Sequence, residues 1–256
     1  MTEPDPQRIA AFQEHFAKAQ STDVVELSWG FALLQRDFPK SYDHNRIVVT
    51  AAAPSVDILQ RADDVLGGAG LDHRYISVTD DALGLGLQSD LVAAGYESET
   101  NVMMINRDPS VDPAEHDVHA VSHERLRPAV MRDWRVDLPE STDDELTQLA
   151  DRMTLYERGA EVTFLAVFEG SEIAARTDLY IDRASGVAQI ESLLTHEDYR
   201  GRGYAKALVR DGHRRAIEAG CELSFLVADL DDWPREWYGR LGYVEAHRTH
   251  EFTRLP

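Results

Sequence analysis

The run LLTHEDYRGRGYAKAL, residues 193–208, is the stretch of this 256-residue chain that decides the fold. A β-type run, GVAQIESLLT (186–195), leads into two closely spaced glycines, and an amphipathic helical pattern follows them. Glycines at a strand-to-helix turn let the backbone approach a ligand, and the first amides of a helix are unsatisfied donors at its positive end. Residues 200–206, here named the glycine loop, are therefore predicted to bind phosphate.

Basic side chains are concentrated on the predicted helix of a chain whose formal net charge is −20. They are Lys206, Arg210 and Arg214, at every fourth position, with Arg200, Arg202 and Arg215 beside them. An isolated basic stripe is usually a solvated helix face, but the preceding glycine turn favours phosphate binding. Two other glycine motifs fail: a dinucleotide fingerprint needs Gly or Ala where Lys206 stands, and a P-loop needs GKS or GKT, which the chain lacks.

Two motifs resemble the signatures of the GNAT superfamily of acetyltransferases. The first is Arg200-x-x-Gly203-x-Ala205, which is similar to the R/Q-x-x-G-x-G/A loop of that family. The second is WYGRLGY, residues 237–243, which resembles the aromatic motif that ends the same domain. The two motifs have the expected separation, with a strand-like run, LSFLV (223–227), between them. The resemblance covers residues 118–254.

The resemblance implies an α+β fold with three layers, α/β/α, around a mixed, splayed and mostly antiparallel sheet of the acyl-CoA N-acyltransferase type. Acetyl-CoA would lie between two parting strands, one of which ends at Thr195. Backbone amides of that strand would hold the pantetheine arm and polarise the thioester, and the glycine loop would hold the diphosphate. The implied cofactor-binding residues are Leu193, Leu194, Thr195, Arg200, Gly201, Arg202, Gly203, Tyr204, Ala205 and Lys206.

Two side chains are candidates for the proton transfers. Acyl transfer to an amine needs a neutral nucleophile, donors for the oxyanion and a proton for the departing thiolate. By resemblance, Tyr238 would protonate the CoA sulfur, and the alternative is a hydrogen-bonded core tyrosine. Glu191, on the strand before the glycine loop, could take the proton of the amine directly or through water. A strand glutamate that faces solvent fits the same pattern.

One position departs from the family pattern. The family often has an asparagine seven residues before the tyrosine, where this chain has Asp231. An aspartate can accept a hydrogen bond from the pantetheine amide but cannot donate one, so Asp231 is not expected to be catalytic. With Asp229, Asp232 and Trp233 it could hold a cationic acceptor at the mouth of the site, or form a plain solvated turn.

The order of elements suggests an internal duplication. Residues 75–107 give the pattern strand, turn, helix, strand, as residues 223–254 do, and both helix-to-strand junctions carry Gly-Tyr. Amphipathic helices are predicted before both units, at 58–69 and 205–219. Chance similarity of two alternating patterns is the alternative. The segment RDPSVDPAEH (107–116) has linker composition, which predicts domains at 1–113 and 114–256.

The first half lacks the glycine loop, because TAAAPSVD (50–57) has neither glycine nor a basic residue before its helix. This degenerate GNAT-like half is expected to cover the sheet edge of the catalytic half and to shape the acceptor pocket. Candidates to face that pocket, with ordinary packing as the alternative, are Trp29, Phe38, Tyr42, Asp43 and Asn45.

Composition limits the other classes of function. The acidic charge argues against nucleic-acid and anionic-membrane partners, and it suits either a cationic partner or simple solvation. Cys221 is the only cysteine, and the ten histidines lack ligand spacing, so neither a disulfide nor a metal site is expected. No apolar run is long enough to span a membrane and no signal-like N-terminus is present, so a cytoplasmic protein is expected.

The sequence thus predicts an acetyl-CoA-dependent N-acetyltransferase that moves the acetyl group to a primary amine of a small molecule by direct attack in a ternary complex. A polyamine, an aminoglycoside-like compound or an amino acid could be the acceptor. The first alternative is a non-catalytic acyl-CoA-binding sensor or pseudoenzyme, and the second is an interaction module whose basic helix docks an acidic partner. Either a monomer or a homodimer is compatible with the sequence.

Overall fold

The computed structural model describes residues 5–110 and 115–255. In this part of the chain the helices are α1 Asp5–Gln20, α2 Ser55–Ala62, α3 Asp81–Ala93, α4 His123–Asp137, α5 Asp143–Asp151, α6 Tyr204–Glu218 and α7 Pro234–Arg240. The strands are β1 Asp23–Leu27, β2 Gly30–Leu34, β3 Arg46–Val49, β4 Arg74–Val78, β5 Glu97–Asn106, β6 His119–Val121, β7 Glu161–Glu169, β8 Glu172–Asp182, β9 Val187–Thr195, β10 Leu223–Asp229 and β11 Val244–Arg254.

All these strands belong to one sheet, in the order β1-β2-β3-β4-β11-β5-β10-β9-β8-β7-β6. Within the described ranges, only β3 with β4 and β9 with β10 pair in parallel, and the other neighbours are antiparallel. The sheet is therefore mixed and mostly antiparallel, as the sequence predicted.

The two halves of the chain exchange their last strands. Strand β11, from the second half, lies between β4 and β5 of the first half, while β5 lies between β10 and β11 of the second half. The shared pair runs from Val244↔Ile105 to Thr253↔Glu97. The first half therefore contributes a central strand to the other half's sheet, which is more than the edge cover expected from sequence.

The strand exchange bears on the predicted domain boundary. Residues 111–114, where the boundary was placed, lie outside the described residues, so the division into 1–113 and 114–256 stays a prediction. Wherever the domain boundary lies along the chain, β11 completes the hydrogen bonding of β4, because its residues 250–254 pair with residues 74–78. Each half thus depends on the other for a full set of strand partners.

Helices cover both faces of the sheet and produce the three predicted layers. On one face α6 packs over Leu165, Ile190 and Leu226, and α2 and α3 pack over Ile76 and Phe252. On the other face α1 and α4 pack over residues of the opposite strand parity, including Phe164 and Phe225. Strand residues alternate between the two cores because successive side chains point to opposite faces.

Most element predictions are confirmed, with one shift in the first half. The runs VTFLAVFEG (162–170) and EIAARTDLYI (172–181) predict an antiparallel pair, which is β7 with β8. The run ESTDDELTQLADRM (140–153) predicts a capped helix, which is α5, where Thr142 and Glu145 form a capping box. In the pattern of residues 75–107 the predicted turn is TDDALG (79–84), which mostly belongs to α3 instead. Asp80 caps that helix by accepting from the amide of Leu83, so the helix begins at Asp81.

Candidate active site

A gap opens in the sheet between β9 and β10. These parallel strands pair only from Leu223↔Val187 to Phe225↔Gln189, and beyond that point they part. The corresponding strands of the first half stay together, since β3 pairs with β4 to Val49↔Val78 and the amide of Thr79 then donates to the carbonyl of Val49 at 3.1 Å. Of the two parallel pairs, the one in the second half therefore carries the opening.

A bulge lies on β9 beside the gap. The register of β8 with β9 shifts between Asp178↔Glu191 and Arg176↔Leu194. At the bulge Ser192 has φ 56°, a left-handed conformation that is rare for a residue other than glycine. Backbone strain of this kind is concentrated at functional sites, and a bulge redirects the peptide groups of its strand. This conformation could not be predicted from the sequence, because serine is not a residue that marks positive φ.

The strand segment expected to hold the pantetheine arm follows this bulge. Leu193, Leu194 and Thr195 are all half-buried, and β10 no longer pairs with β9 at these positions. The hydroxyl of Thr195 is buried and has no hydrogen-bond partner. A buried polar atom without a partner is unusual and fits a ligand group that would supply the missing hydrogen bond.

The glycine loop has the backbone geometry of an anion site. Gly201 and Gly203 have φ of 79° and 86°, which only glycine adopts without strain, and residues 200–203 are exposed. Helix α6 starts at Tyr204, directly after Gly203, and its first backbone bond joins the amide of Ala207 to the carbonyl of Gly203. The amides at residues 204–206 therefore precede the first helical hydrogen bond, as expected for a phosphate site.

The side chains of the loop are engaged by nearby carboxylates. Arg202 forms an ion pair with Glu169 at 3.1 Å, and Lys206 forms one with Glu115 at 2.7 Å. The ring of Tyr204 is buried, and its hydroxyl donates to Glu169. His116 Nε2 donates to the carbonyl of Arg202 at 2.8 Å and lies beside Gly203, and an incoming diphosphate would compete with Glu169 and Glu115 for the two cations.

The predicted basic patch is divided along α6. Farther along the helix from the loop, Arg214 and Arg215 both form ion pairs with Asp211, and Arg214 also forms one with Glu218. Arg200 lies at the loop itself, where its Nε donates to the carbonyl of Thr195 at 3.2 Å. Only the basic residues near the start of α6 are therefore placed to meet a ligand at the glycine loop.

Tyr238 lies in the core on the α6 side of the sheet. It is 8% exposed and packs with Trp237 and Tyr243, at ring-centroid distances of 5.1 and 6.3 Å. Burial raises the pKa of Tyr238 far above its usual value, and the charge of Glu191 raises it further. The tyrosine is therefore a neutral phenol in the core.

Glu191 lies on the opposite face of β9 from that core and lines a large cavity. Its carboxylate accepts a hydrogen bond from Gln189 Nε2 at 2.5 Å. Burial raises the pKa of Glu191 to about 7, with the charges of Asp178 and Asp43 adding to the effect. A carboxyl with this pKa gains and loses a proton near neutral pH, as a general base must. The simple solvent-facing alternative does not describe this environment.

Asp178 is a buried acid that the sequence analysis missed. It lies directly across from Glu191 on β8, is fully buried, and has one carboxylate oxygen without a partner. Tyr180 donates to its other oxygen at 3.2 Å, and burial raises the pKa of Asp178 to about 6. The signal was the alternation of Arg176, Asp178 and Tyr180 along β8, which is the spacing of one sheet face.

The cavity that Glu191 faces has a volume of about 760 Å³ and lies between the two halves. Its charged lining is predominantly acidic, with Arg46 and Arg152 as the cations and Glu14, Asp43, Glu99, Glu191 and Glu251 as the acids. Asp43 pairs with Arg152 at 3.0 Å, which ties a first-half loop to the second half. An excess of carboxylates in a cleft attracts cations.

Of the five first-half residues suspected of facing the acceptor, only Asp43 lines this cavity. Asn45 is buried and serves the local fold, because its Oδ1 accepts from the amide of Gln35 at 2.8 Å. Tyr42 stacks on His73 at 4.1 Å, and Trp29 packs on the first-half core. Phe38 is likewise absent from the lining, so ordinary packing accounts for these residues.

The acidic turn after β10 contains local hydrogen bonds. The amide of Asp231 donates to the carboxylate of Asp229 at 2.8 Å, and the amide of Trp233 donates to Asp232 at 2.7 Å. Trp233 is 67% exposed. These contacts are those of an aspartate-stabilised turn, and none of the four residues lines the cavity.

The described residues contain no group of three or more His, Cys, Asp or Glu side chains that could hold a metal ion. No helix in the described ranges is both long and apolar enough to cross a membrane.

Comparisons with known proteins agree with this geometry. Similar solved structures include a functionally unknown conserved protein from Staphylococcus epidermidis, with a TM-score of 0.71 and 13% identity over 92% of this chain and 94% of that one. A GCN5-related N-acetyltransferase from Kribbella flavida has a TM-score of 0.65 and 19% identity, over 98% and 95% of the two chains.

A tandem GNAT protein from the clavulanic acid biosynthesis pathway has a TM-score of 0.59 and 12% identity, over 98% of this chain and 95% of that one. At these identities the likeness shows the fold alone, and that fold extends over both halves. No curated protein matched the chain. The model of the acetyltransferase (GNAT) family matches residues 124–243. Residues 124–243 are therefore a GNAT domain, in a chain with the acyl-CoA N-acyltransferase fold.

Proposed function

We propose that the protein transfers an acetyl group from acetyl-CoA to a primary amine of a small molecule. One observation carries the proposal: Glu191 and Tyr238 lie on opposite faces of the sheet, at the gap between β9 and β10. A thioester that passes through this gap would meet the amine on the Glu191 side and a proton donor on the Tyr238 side. The charge of Glu191 acts on the pKa of Tyr238, so the two groups are close enough to interact.

The donor has residues that fit it. The exposed peptide groups of the glycine loop, together with Arg202 and Lys206, would hold the diphosphate. The open edge of β9 at residues 193–195 and the unpartnered hydroxyl of Thr195 would hold the pantetheine arm. The first half has no comparable slot, because β3 and β4 remain paired and no glycine loop precedes α2.

The environments of Glu191 and Tyr238 suit them to the two proton transfers of the reaction. The neutral amine attacks the thioester carbon, a C–N bond forms, and the C–S bond then breaks. Glu191, whose pKa of about 7 lets it be ionised near neutral pH, takes the proton from nitrogen. Tyr238, which burial keeps protonated, gives its proton to the leaving sulfur. The acidic lining of the cavity would attract the ammonium form of the acceptor.

A thiol-release assay over a library of primary amines tests the proposal. Free CoA should appear with at least one amine, and Tyr238→Phe should slow turnover while leaving CoA binding unchanged. A protein that binds CoA tightly but never releases thiol above background would instead be a sensor. A protein that binds no CoA would leave the interaction-module alternative. The cytoplasmic location and the monomeric or homodimeric state stay predictions from sequence.

A further inference from the structure

Three polar side chains form a row across the exchanged strands in the middle of the sheet. Glu251 on β11 is the direct partner of Ser77 on β4 and of Glu99 on β5. Side chains at directly paired positions point to the same face, and all three line the cavity that also contains Glu191. The row, here named the Ser77–Glu251–Glu99 row, combines residues from both halves of the chain.

Two carboxylates in directly paired positions repel each other, which normally disfavours such an arrangement. Burial raises the pKa of Glu251, and partial burial raises the pKa of Glu99, with the charge of Glu251 adding to the effect. Arg46, Tyr75 and Asn101 interact with Glu251 and partly offset its burial, whereas Asp43 and Asp229 add negative charge nearby. The pair is therefore left with an excess of negative charge.

An independent observation points to a ligand at the same place. Ser77 is only 9% exposed, and its hydroxyl has no hydrogen-bond partner although it lines the cavity. Leaving a buried hydroxyl unpaired costs about 1–3 kcal/mol, so native structures usually provide a partner. A ligand group in the cavity could contact this hydroxyl and the two carboxylates together.

We propose that the Ser77–Glu251–Glu99 row binds a second cationic group of the acceptor, so the acceptor class is amines that carry two or more separated positive charges. This inference rests on the proposed function, since Glu191 marks where the reacting amine would lie. An ammonium group has the three donors needed to contact a hydroxyl and two carboxylates. The acceptor would then span the cavity from the gap in the second half to the strands shared by both halves.

The spacing of strands and residues in the sheet sets the distance between Glu191 and the Ser77–Glu251–Glu99 row. The last β9–β10 pair is Phe225↔Gln189, so Glu191 lies about level with Val227 of β10, which pairs with Met103 of β5. Met103 is four residues from Glu99. Two strand spacings of ~4.8 Å and four residues of ~3.3 Å each combine to roughly 16 Å between the backbones at Glu191 and Glu99, a lower limit because β9 and β10 part at Glu191. Side chains reach inward from both ends, so linear diamines of about eight to twelve carbons match the span better than short ones.

Calorimetric titration of the whole protein with α,ω-diamines of four to twelve carbons tests the inference without requiring turnover. The comparison ligands are amino alcohols of equal length, in which a hydroxyl replaces the second ammonium. We expect the longer diamines to bind about tenfold more tightly than the matched amino alcohols, as a charge-assisted contact would give. Equal affinities in the wild-type protein would overturn the proposal.

Variants of the Ser77–Glu251–Glu99 row test whether the row is the source of the preference for diamines. Glu99→Gln, at an exposed position, and Glu251→Gln should each reduce the diamine preference severalfold, and Ser77→Ala should reduce it less. The matched control is Glu97→Gln, which removes one charge from the same strand at an exposed position outside the cavity lining. A preference that survives both Glu99→Gln and Glu251→Gln, or that Glu97→Gln reduces equally, would overturn the assignment.

The same assays separate this inference from the proposed function. Diamine binding that depends on the row, with no thiol release from any amine, would support the subsite and refute the transfer. Acetylation of monoamines and diamines at equal kcat/KM would support the transfer and refute the subsite.

Discussion

Replacing Glu191 with glutamine should remove a pH dependence that the raised pKa of this carboxyl gives to acetyl transfer. With a pKa of about 7, its ionised fraction rises from about 0.1 at pH 6 to about 0.9 at pH 8. Loss of a proton from the amine also raises the rate with pH, but it does so equally in both proteins. The ratio of wild-type to Glu191→Gln turnover should therefore increase about tenfold from pH 6 to pH 8.

Initial rates of thiol release at saturating acetyl-CoA, measured between pH 5.5 and pH 8.5 in one ionic strength, provide the ratio. Gln189→Leu is a useful companion, because it removes the 2.5 Å hydrogen bond that lowers the pKa of Glu191. The midpoint of its profile should move to higher pH. A ratio that is constant with pH would refute the role of Glu191 as the base.

Stability supplies a second readout of the same pKa. Because the folded-state pKa is raised, the unfolded chain loses this proton first, and the contribution of Glu191 to stability falls as pH rises from about 4.5 to about 7. The difference between a pKa of about 4.5 in the unfolded chain and about 7 in the folded protein sets an upper limit of about 3 kcal/mol, reduced to about 1–2 kcal/mol because the carboxylate faces an open cavity. Glu191→Gln should match the wild type near pH 4 and be more stable at pH 8 in urea titrations.

Three further predictions concern the loop, the buried acid and the exchanged strands. Gly203→Glu should reduce CoA affinity at least tenfold, because it adds negative charge at a φ of 86°, whereas Gly220→Glu, at φ 89° beyond the other end of α6, should not. Asp178→Asn should lower the pKa of Glu191 and move the rate profile toward lower pH, a shift that a purely structural role would not give. Phe252→Ala should cost about 3–5 kcal/mol in one unfolding transition for both halves, and two separate transitions would contradict the strand exchange.

Local sequence was enough to predict the backbone conformation of the glycine loop. Glycines at 201 and 203, followed directly by an amphipathic helix, specify a turn with positive φ and free amides, and the structure has both. The capping residues and the alternation in β7 and β8 are equally local, so those elements could be predicted. Glu191 lies on the strand that leads into the loop, so its position could be predicted from the same contiguous segment.

Tertiary structure alone decided the strand exchange and the environment of the site. Nothing in the composition of β5 or β11 states that each pairs with two strands of the other half, because antiparallel partners are selected by the packing of the whole sheet. The sequence also could not show that Asp178 lies across from Glu191, or that Ser77, Glu251 and Glu99 meet in one row. The sequence by itself determined the backbone of the glycine loop and the start of α6, since these depend on a few consecutive residues. Only the fold decided which distant acids share a cavity, since their pKa shifts and their pairing arise from burial and from the register between strands far apart in the chain.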